Sequence, residues 1–152
     1  MLKRISTRLL APFQLFYWKM ATPEAGGAKV LIEYDGKYLL LRETIGQKHW
    51  TLPGGRSKGA ENPETTAKRK VKEEVGIALG ALVPLGTYYH TRQGKKDVVC
   101  AYYAAVSMPQ FHINTNVTVE AGWFTVAQMH TMTRSESVDD VLELYTKYQG
   151  EK

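Results

Sequence analysis

The sequence has little cysteine and no long apolar run. Its 152 residues include one cysteine, Cys100, so the chain forms no internal disulfide and suits a reducing compartment. The longest uncharged stretch near the N-terminus, residues 9–18, is well short of the roughly 20 apolar residues that a membrane-spanning helix needs. Internal repeats and low-complexity tracts are also absent. These absences exclude a disulfide-stapled fold and predict one globular domain, residues 1–152, that does not cross a membrane.

Two common catalytic patterns are missing as well. The chain contains no P-loop, and its serines, histidines and acids show no order that supports covalent nucleophilic catalysis. The histidines at positions 49, 112 and 130 have no metal-ligand spacing with one another or with Cys100, so we predict no zinc site. We expect Cys100 itself to be a small buried residue of a strand.

Acidic residues are absent before Glu24. The whole chain has a net charge of +5, which favours anionic partners such as phosphates. Within residues 1–20, apolar side chains recur at helical spacing between basic ones, which predicts an amphipathic helix followed by a linker to residue 26. Three roles stay open for this helix: docking on its own domain, weak contact with an anionic membrane surface, or action as an organelle transit peptide. Its basic residues are Lys3, Arg4, Arg8 and Lys19.

Residues 27–152 have the pattern of a domain core that contains both strands and helices. Residues typical of strands on either side of Asp35-Gly36 predict a hairpin. A short strand is expected to end at Pro53, where the following glycines open a loop. The order of elements indicates an α+β fold with αβα layers around a mixed sheet. The other predicted elements are strands at 81–91, 97–107 and 120–126 and a closing helix from about Ser137.

Residues 63–75 carry the clearest helix signal. Asn62 is a typical N-cap, Pro63 suits the first turn, and Gly76 is a typical stop. At about 100° per residue, one face of this helix is apolar and must be buried. That face consists of Ala67, Val71 and Val75.

Glu73 and Glu74 lie off that apolar face. Adjacent carboxylates repel each other, so their position near the glycine loop makes most sense if a cation lies between them and an anionic ligand. Glycines in the loop let the backbone approach a ligand closely. The pattern indicates Mg²⁺, or Mn²⁺, bridging to a diphosphate. The alternative is a solvated helix face on which Lys70 and Lys72 pair with the acids.

The spacing of this segment resembles the Nudix box. Five residues separate Gly55 from Glu61, and seven separate Glu61 from Arg69. The strands around the segment and the N-terminal helix are also similar to those of family members, so the resemblance covers most of the chain. The pattern continues with Val71, Glu73, Glu74, Gly76 and Ile77.

This resemblance implies a Nudix-type αβα sandwich and Mg²⁺-dependent hydrolysis of a nucleoside diphosphate linked to another moiety, with water attacking phosphorus. It implies a small nucleotide-like ligand rather than nucleic acid and, with no recognisable secretory signal, a cytoplasmic location. The resemblance also assigns roles: metal ligation to Glu73, Glu74 and the Gly54 carbonyl, orientation of a carboxylate to Arg69, the cofactor-binding loop to Gly54, Gly55 and Glu61, and a distant acid to Glu120.

Lys70 departs from the family pattern, because it stands where members have the glutamate that follows the arginine. Its ammonium can reach Glu73 or Glu74 across one helix turn and compete with a metal ion. Two unit charges about 4 Å apart interact by about 4 kcal/mol at an effective dielectric constant of about 20, so the change of sign matters. Two outcomes stay open: a hydrolase with altered metal binding, or an inactive module that binds phosphates.

Several aromatic side chains outside this segment have two interpretations. They could stack on a nucleobase, although strand aromatics more commonly pack in the core or across strands. The basic hairpin tip at residues 92–96 is expected to be solvated. The residues in question are Trp50, Tyr88, Tyr89 and His90.

Overall fold

The computed structural model describes residues 25–44, 49–92 and 94–151, which form a mixed sheet with helices on both faces. The predicted N-terminal helix lies outside the described residues. The first strand begins two residues before the predicted start of the core. The strands are β1 (Ala25–Tyr34), β2 (Lys37–Glu43), β3 (Gly54–Arg56), β4 (Val83–Arg92), β5 (Lys95–Ala105) and β6 (Thr118–Phe124), and the helices are α1 (Pro63–Val75), α2 (Val126–Met129) and α3 (Glu136–Gly150).

Strand β1 is the centre of the sheet. The strand order is β4-β5-β1-β2-β6, and β3 pairs with β1 off this path. The β1–β5 pair is parallel, whereas β1 pairs antiparallel with β2 and β3. The predicted hairpin is confirmed: Asp35 and Gly36 both have positive φ, 50° and 74°, as a tight two-residue turn requires.

Side chains of β1 alternate between two buried layers. Val30 and Ile32 lie in one apolar cluster with Val71 of α1. Leu31 points to the opposite cluster, which contains Val141 of α3. This alternation is the period of two that a strand covered on both faces shows. The predicted α+β fold in αβα layers is therefore confirmed.

Two further sequence-based expectations can be compared with the structure. Cys100 is fully buried, and burial raises the pKa of its thiol to about 12, in agreement with a small apolar strand residue. Within the described residues, none of the helices has the length and apolar character needed to cross a membrane.

The segment after Pro53 was predicted as a loop, and this prediction is wrong, because Gly54–Arg56 forms strand β3. It pairs with residues 27–29 of β1. The glycines make this pairing possible, since a side chain at Gly27 would overlap the carbonyl oxygen of Gly55. Helix α2 was not predicted; a reciprocal capping box between Thr125 and Gln128 begins it.

Candidate active site

Helix α1 begins and ends where the sequence predicts. The Asn62 side chain accepts a hydrogen bond from the Thr65 N–H at 2.9 Å, and Pro63 occupies the first turn. At the other end Gly76 has a φ of 70°, and its N–H donates to the Lys72 carbonyl at 3.0 Å. The two caps fix which turns of α1 face strand β3.

Glu74 is the buried acid of the site. Its side chain is 1% exposed, and the Gly54 N–H donates to its Oε1 at 2.8 Å. Burial raises the pKa of the Glu74 carboxyl to about 7, although the Lys29 ammonium, the Gly54 N–H and the Lys70 ammonium act in the opposite direction. A carboxyl with this pKa can hold or release a proton near neutral pH.

Lys29 is a charged neighbour of Glu74 that the sequence reasoning missed. Its Nζ donates to the Leu52 carbonyl at 3.0 Å and lies 3.5 Å from the Thr51 hydroxyl. Burial lowers the pKa of Lys29, while Glu74 raises it. The signal in the sequence was a lysine directly before the buried apolar residues 30–32 of β1.

Glu61 and Arg69 join the loop after β3 to α1. The Arg69 guanidinium donates to both carboxylate oxygens of Glu61, at 2.8 and 2.9 Å, and to the Arg56 carbonyl at 3.0 Å. The Thr66 hydroxyl donates to Glu61 at 2.7 Å. The hydrogen bonds from Arg69, followed by the one from Thr66, lower the pKa of Glu61 to about 2, and the pairing raises the pKa of Arg69. This bidentate contact fixes the loop geometry.

Glu73 lies between two cations on the exposed side of α1. Arg69 Nη1 donates to its carboxylate at 3.2 Å, and Lys70 Nζ lies 3.7 Å from Oε2. The Lys70 side chain runs along Gly55: a Cβ at position 55 would be 2.5 Å from the Lys70 Cε. Gly55 therefore leaves the space that the lysine occupies.

Glu73, Glu74, Arg69 and Lys70 line one cleft with a volume of about 490 Å³, whereas Glu61 is not part of its lining. Glu43, at the end of β2, adds a third carboxylate that the sequence reasoning did not identify. A second cleft of about 540 Å³ shares Glu43, Gly55 and Arg56 with the first. The predicted site residues that line the first cleft are Gly54, Gly55, Arg69, Glu73 and Glu74, and Lys70 lies among them.

Glu120 has a different position. It pairs with Arg42 across strands β2 and β6, and Arg42 Nε donates to its carboxylate at 2.8 Å. Glu120 is not one of the described residues that line the first cleft. The structure thus places this acid beside Arg42 and not in the lining of the first cleft.

The predicted aromatic set divides among the core, the second cleft and the exposed surface. Trp50 packs edge-on against Phe124 at 5.0 Å between ring centroids, so it contributes to the core. Tyr88 and His90 line the second cleft. Tyr89 is 63% exposed, and Lys96 lies over its ring.

The sequence profile of the NUDIX domain matches residues 25–145, which include the whole cleft. The chain belongs to the Nudix family. Over 67 residues it is 37% identical to a MutT-like protein from Streptomyces ambofaciens, a match that spans 44% of this chain and 43% of that protein.

Solved structures show the same Nudix fold. A MutT NUDIX hydrolase from Burkholderia pseudomallei superposes with a TM-score of 0.61 at 27% identity, over 66% of this chain and 82% of that one. The NUDIX domain of Shewanella oneidensis NrtR, crystallised with ADP ribose, superposes with a TM-score of 0.72 at 19% identity, over 86% of this chain and 92% of that one.

Nudix proteins generally use divalent metal ions, and the donor atoms of this cleft fit such an ion in type. Mg²⁺ prefers oxygen ligands and is commonly held by one or two carboxylates together with the phosphates of a substrate. Glu73 and Glu74 supply two carboxylates beside Gly54. In the part of the chain that the structure describes, no group of three or more acidic, histidine or cysteine side chains is arranged to hold a metal ion. Two carboxylates would leave the remaining coordination positions of such an ion to water or to phosphate oxygens.

Gly54 is a position of this Nudix site where any side chain should be disruptive. Its φ is 136°, and a Cβ there would overlap the Ala28 carbonyl oxygen. We expect Gly54→Ala to lower the free energy of unfolding by about 2 kcal/mol or more. Urea denaturation measures the change. Gly80→Ala is the matched control, because nothing lies within 4 Å of a Cβ at Gly80, and equal stability of the two variants would contradict this account.

The raised pKa of Glu74 has a consequence for stability. Because the folded-state pKa of about 7 exceeds the ordinary value of 4.5, the carboxyl increasingly disfavours the folded state as the pH rises between these values. In EDTA we expect Glu74→Gln to be more stable than the wild type at pH 8, by on the order of 2 kcal/mol, and this advantage to shrink at pH 5. Urea denaturation at both pH values measures it. A stability advantage of Glu74→Gln that does not change with pH would contradict the raised pKa of Glu74.

Proposed function

We propose that this chain is a divalent-metal-dependent pyrophosphohydrolase that acts on a nucleoside diphosphate linked to another moiety, with water attacking phosphorus. The observation that supports this most is that buried Glu74 and exposed Glu73 line the same cleft, which also contains cationic side chains. Carboxylates suit metal ligation and proton transfer, whereas the cations suit phosphate. A family relationship alone would leave the reaction open.

Each residue has a distinct task in this proposal. Glu73 and Glu74, with the Gly54 carbonyl, would hold the metal ion, which when bound polarises a phosphoryl oxygen and lowers the pKa of its water. Glu74 can also take up a proton, since its pKa is near neutral. Arg69 orients Glu73 and, through Glu61, holds the loop that carries Gly54 and Gly55.

The two adjoining clefts support a conjugate as the substrate. The first cleft contains Glu73, Glu74 and Lys70, and the second continues from it past Arg56 toward Tyr88. A diphosphate in the first cleft would leave the second for a nucleoside or another group. The NrtR domain named above was crystallised with ADP ribose, which is a compound of this class.

A second candidate function is an inactive module that binds nucleotides or phosphates. Lys70 favours it, because its ammonium lies 3.7 Å from Glu73 where it competes with a metal ion. The two candidates differ in one measurable property, which is turnover.

The test is product release from a panel of nucleoside diphosphate conjugates and nucleoside triphosphates with Mg²⁺, Mn²⁺ or EDTA, for the wild type and Lys70→Glu. Turnover by the wild type that stops in EDTA supports the hydrolase. Turnover by Lys70→Glu alone would overturn it in favour of the inactive module.

Glu120 provides a further check on which acids act. Because its carboxylate pairs with Arg42 outside the first cleft, we expect Glu120→Gln to retain kcat/KM within about threefold of the wild type. The same conjugate assay measures it. A loss of two orders of magnitude would show that Glu120 is the distant acid that the family resemblance assigned.

Domain organisation and location complete the proposal. We propose that residues 1–152 form a single Nudix-like domain in the cytoplasm, with a core that begins at Ala25, the first residue of β1, and a helix and linker before it. Liposome flotation of the full chain, with and without residues 1–20, tests the proposed weak membrane contact.

A further inference from the structure

The first cleft has more basic than acidic side chains. Among the described residues that line it, four are basic, namely Arg56, Lys58, Arg69 and Lys70, and three are acidic, namely Glu43, Glu73 and Glu74. The cleft is therefore attractive to an anion before any metal ion binds.

The basic groups differ in how far they are already paired. Arg69 is occupied by Glu61 in a bidentate contact and by the Arg56 carbonyl. Lys70 has a looser partner, since its Nζ lies 3.7 Å from Glu73, beyond hydrogen-bond distance. Its three N–H donors can therefore turn toward a ligand with little loss of existing contacts.

The position of Lys70 is supported by its surroundings. Its side chain is 22% exposed and lies against Gly55, where a Cβ would come within 2.5 Å of the lysine Cε. The aliphatic part of the lysine is thus held against the backbone of β3, and the ammonium is held at the cleft. A lysine anchored in this way loses less side-chain conformational entropy on binding a ligand than a freely rotating lysine does.

We propose that this cleft binds the diphosphate of its ligand without a divalent cation, with the Lys70 ammonium as the principal countercharge. This inference rests on the proposed function, because it specifies how the same cleft holds the diphosphate of the substrate. Metal ions are then required for turnover and not for ligand binding. An acid at position 70 would reverse the local charge and make binding depend on a metal ion.

The test is isothermal titration calorimetry of the full chain with ADP, in EDTA and in Mg²⁺. We expect the wild type to bind ADP in EDTA, with an affinity within about threefold of that in Mg²⁺. AMP, which lacks the diphosphate, should bind at least tenfold more weakly in EDTA. Inorganic pyrophosphate should compete with ADP, which separates recognition of the diphosphate from recognition of the nucleoside.

Variants at position 70 identify the countercharge. We expect Lys70→Gln to weaken binding of ADP in EDTA at least tenfold and Lys70→Glu to bind only when Mg²⁺ is present. Lys72→Gln is the matched control, since it removes the same charge from an exposed position of α1 outside both clefts, and should bind like the wild type. If Lys70→Gln fails to fold, as judged by circular dichroism, Lys70→Arg should retain binding in EDTA.

Three results would overturn the inference: binding by the wild type only in Mg²⁺, no ADP binding in either condition, or undiminished binding by a folded Lys70→Gln. Its failure is distinguishable from failure of the proposed function. Mg²⁺-dependent turnover without binding in EDTA would remove the inference and keep the hydrolase. Binding in EDTA without turnover in any metal would keep the inference and remove the hydrolase.

Discussion

Glu74→Gln is expected to lower kcat/KM for a nucleoside diphosphate conjugate by about 100-fold or more. Glutamine can still accept the hydrogen bond from the Gly54 N–H, so the backbone of β3 should keep its position. The change removes the negative charge and the titrating proton that we assign to Glu74. Steady-state kinetics in Mg²⁺ measure the loss, and the stability of the same variant in urea shows that the fold is intact.

The matched control for this substitution is Glu64→Gln. Glu64 is on the same helix, is half exposed and pairs only loosely with Lys68, at 3.6 Å. Such a surface pair contributes little to stability, so the activity of Glu64→Gln should stay at the wild-type level. If Glu74→Gln retained full activity, the buried carboxylate would have neither of the roles that we assign to it.

Arg69→Ala is expected to lower kcat/KM by about 10- to 100-fold, because Arg69 positions groups that we place in the chemistry. The substitution removes the contacts to Glu61, Glu73 and the Arg56 carbonyl together. Glu73 would lose the hydrogen bond that orients it, and the loop after β3 would lose its connection to α1. Kinetics in Mg²⁺ measure the effect, and Lys68→Ala, at a partly exposed position one residue earlier, is the control.

The same substitution has a pH signature. The pKa of Glu61 is lowered to about 2, chiefly by its hydrogen bonds from Arg69, so the pair stabilises the fold above the ordinary glutamate pKa. This contribution is lost as the pH falls from about 4.5 toward 2. Arg69→Ala should therefore be less stable than the wild type at pH 7, and the difference should narrow at pH 3. A difference of constant size would mean that Arg69 acts through packing alone.

Local signals account for the parts of the fold that were predicted correctly. Asn62, Pro63 and Gly76 delimit α1 because caps and stops act within a few residues of chain. The Asp35-Gly36 turn is similar, since positive φ at two successive positions is a requirement of the hairpin itself. Such features depend on neighbouring residues, which the sequence displays directly.

Long-range pairing explains what was missed. Strand β3 exists because its glycines fit against β1, more than 20 residues away in the chain, and nothing local distinguishes it from a loop. Lys29 comes close to Glu74 by the same pairing, so its effect on that carboxyl could not be read from spacing. Glu43 reaches the cleft from the end of β2. Spacing within the segment, by contrast, was sufficient to bring Arg69, Glu73 and Glu74 together.

We propose above that this Nudix chain hydrolyses a diphosphate bond by attack of water on phosphorus. The most direct test incubates the wild-type protein with ADP ribose and Mg²⁺ in water enriched in oxygen-18, followed by mass spectrometry of the products. We expect two phosphate-containing products, one of which carries a single heavy oxygen, and no products in EDTA. Absence of products with either Mg²⁺ or Mn²⁺, across ADP ribose and the other conjugates of the panel, would contradict this proposal.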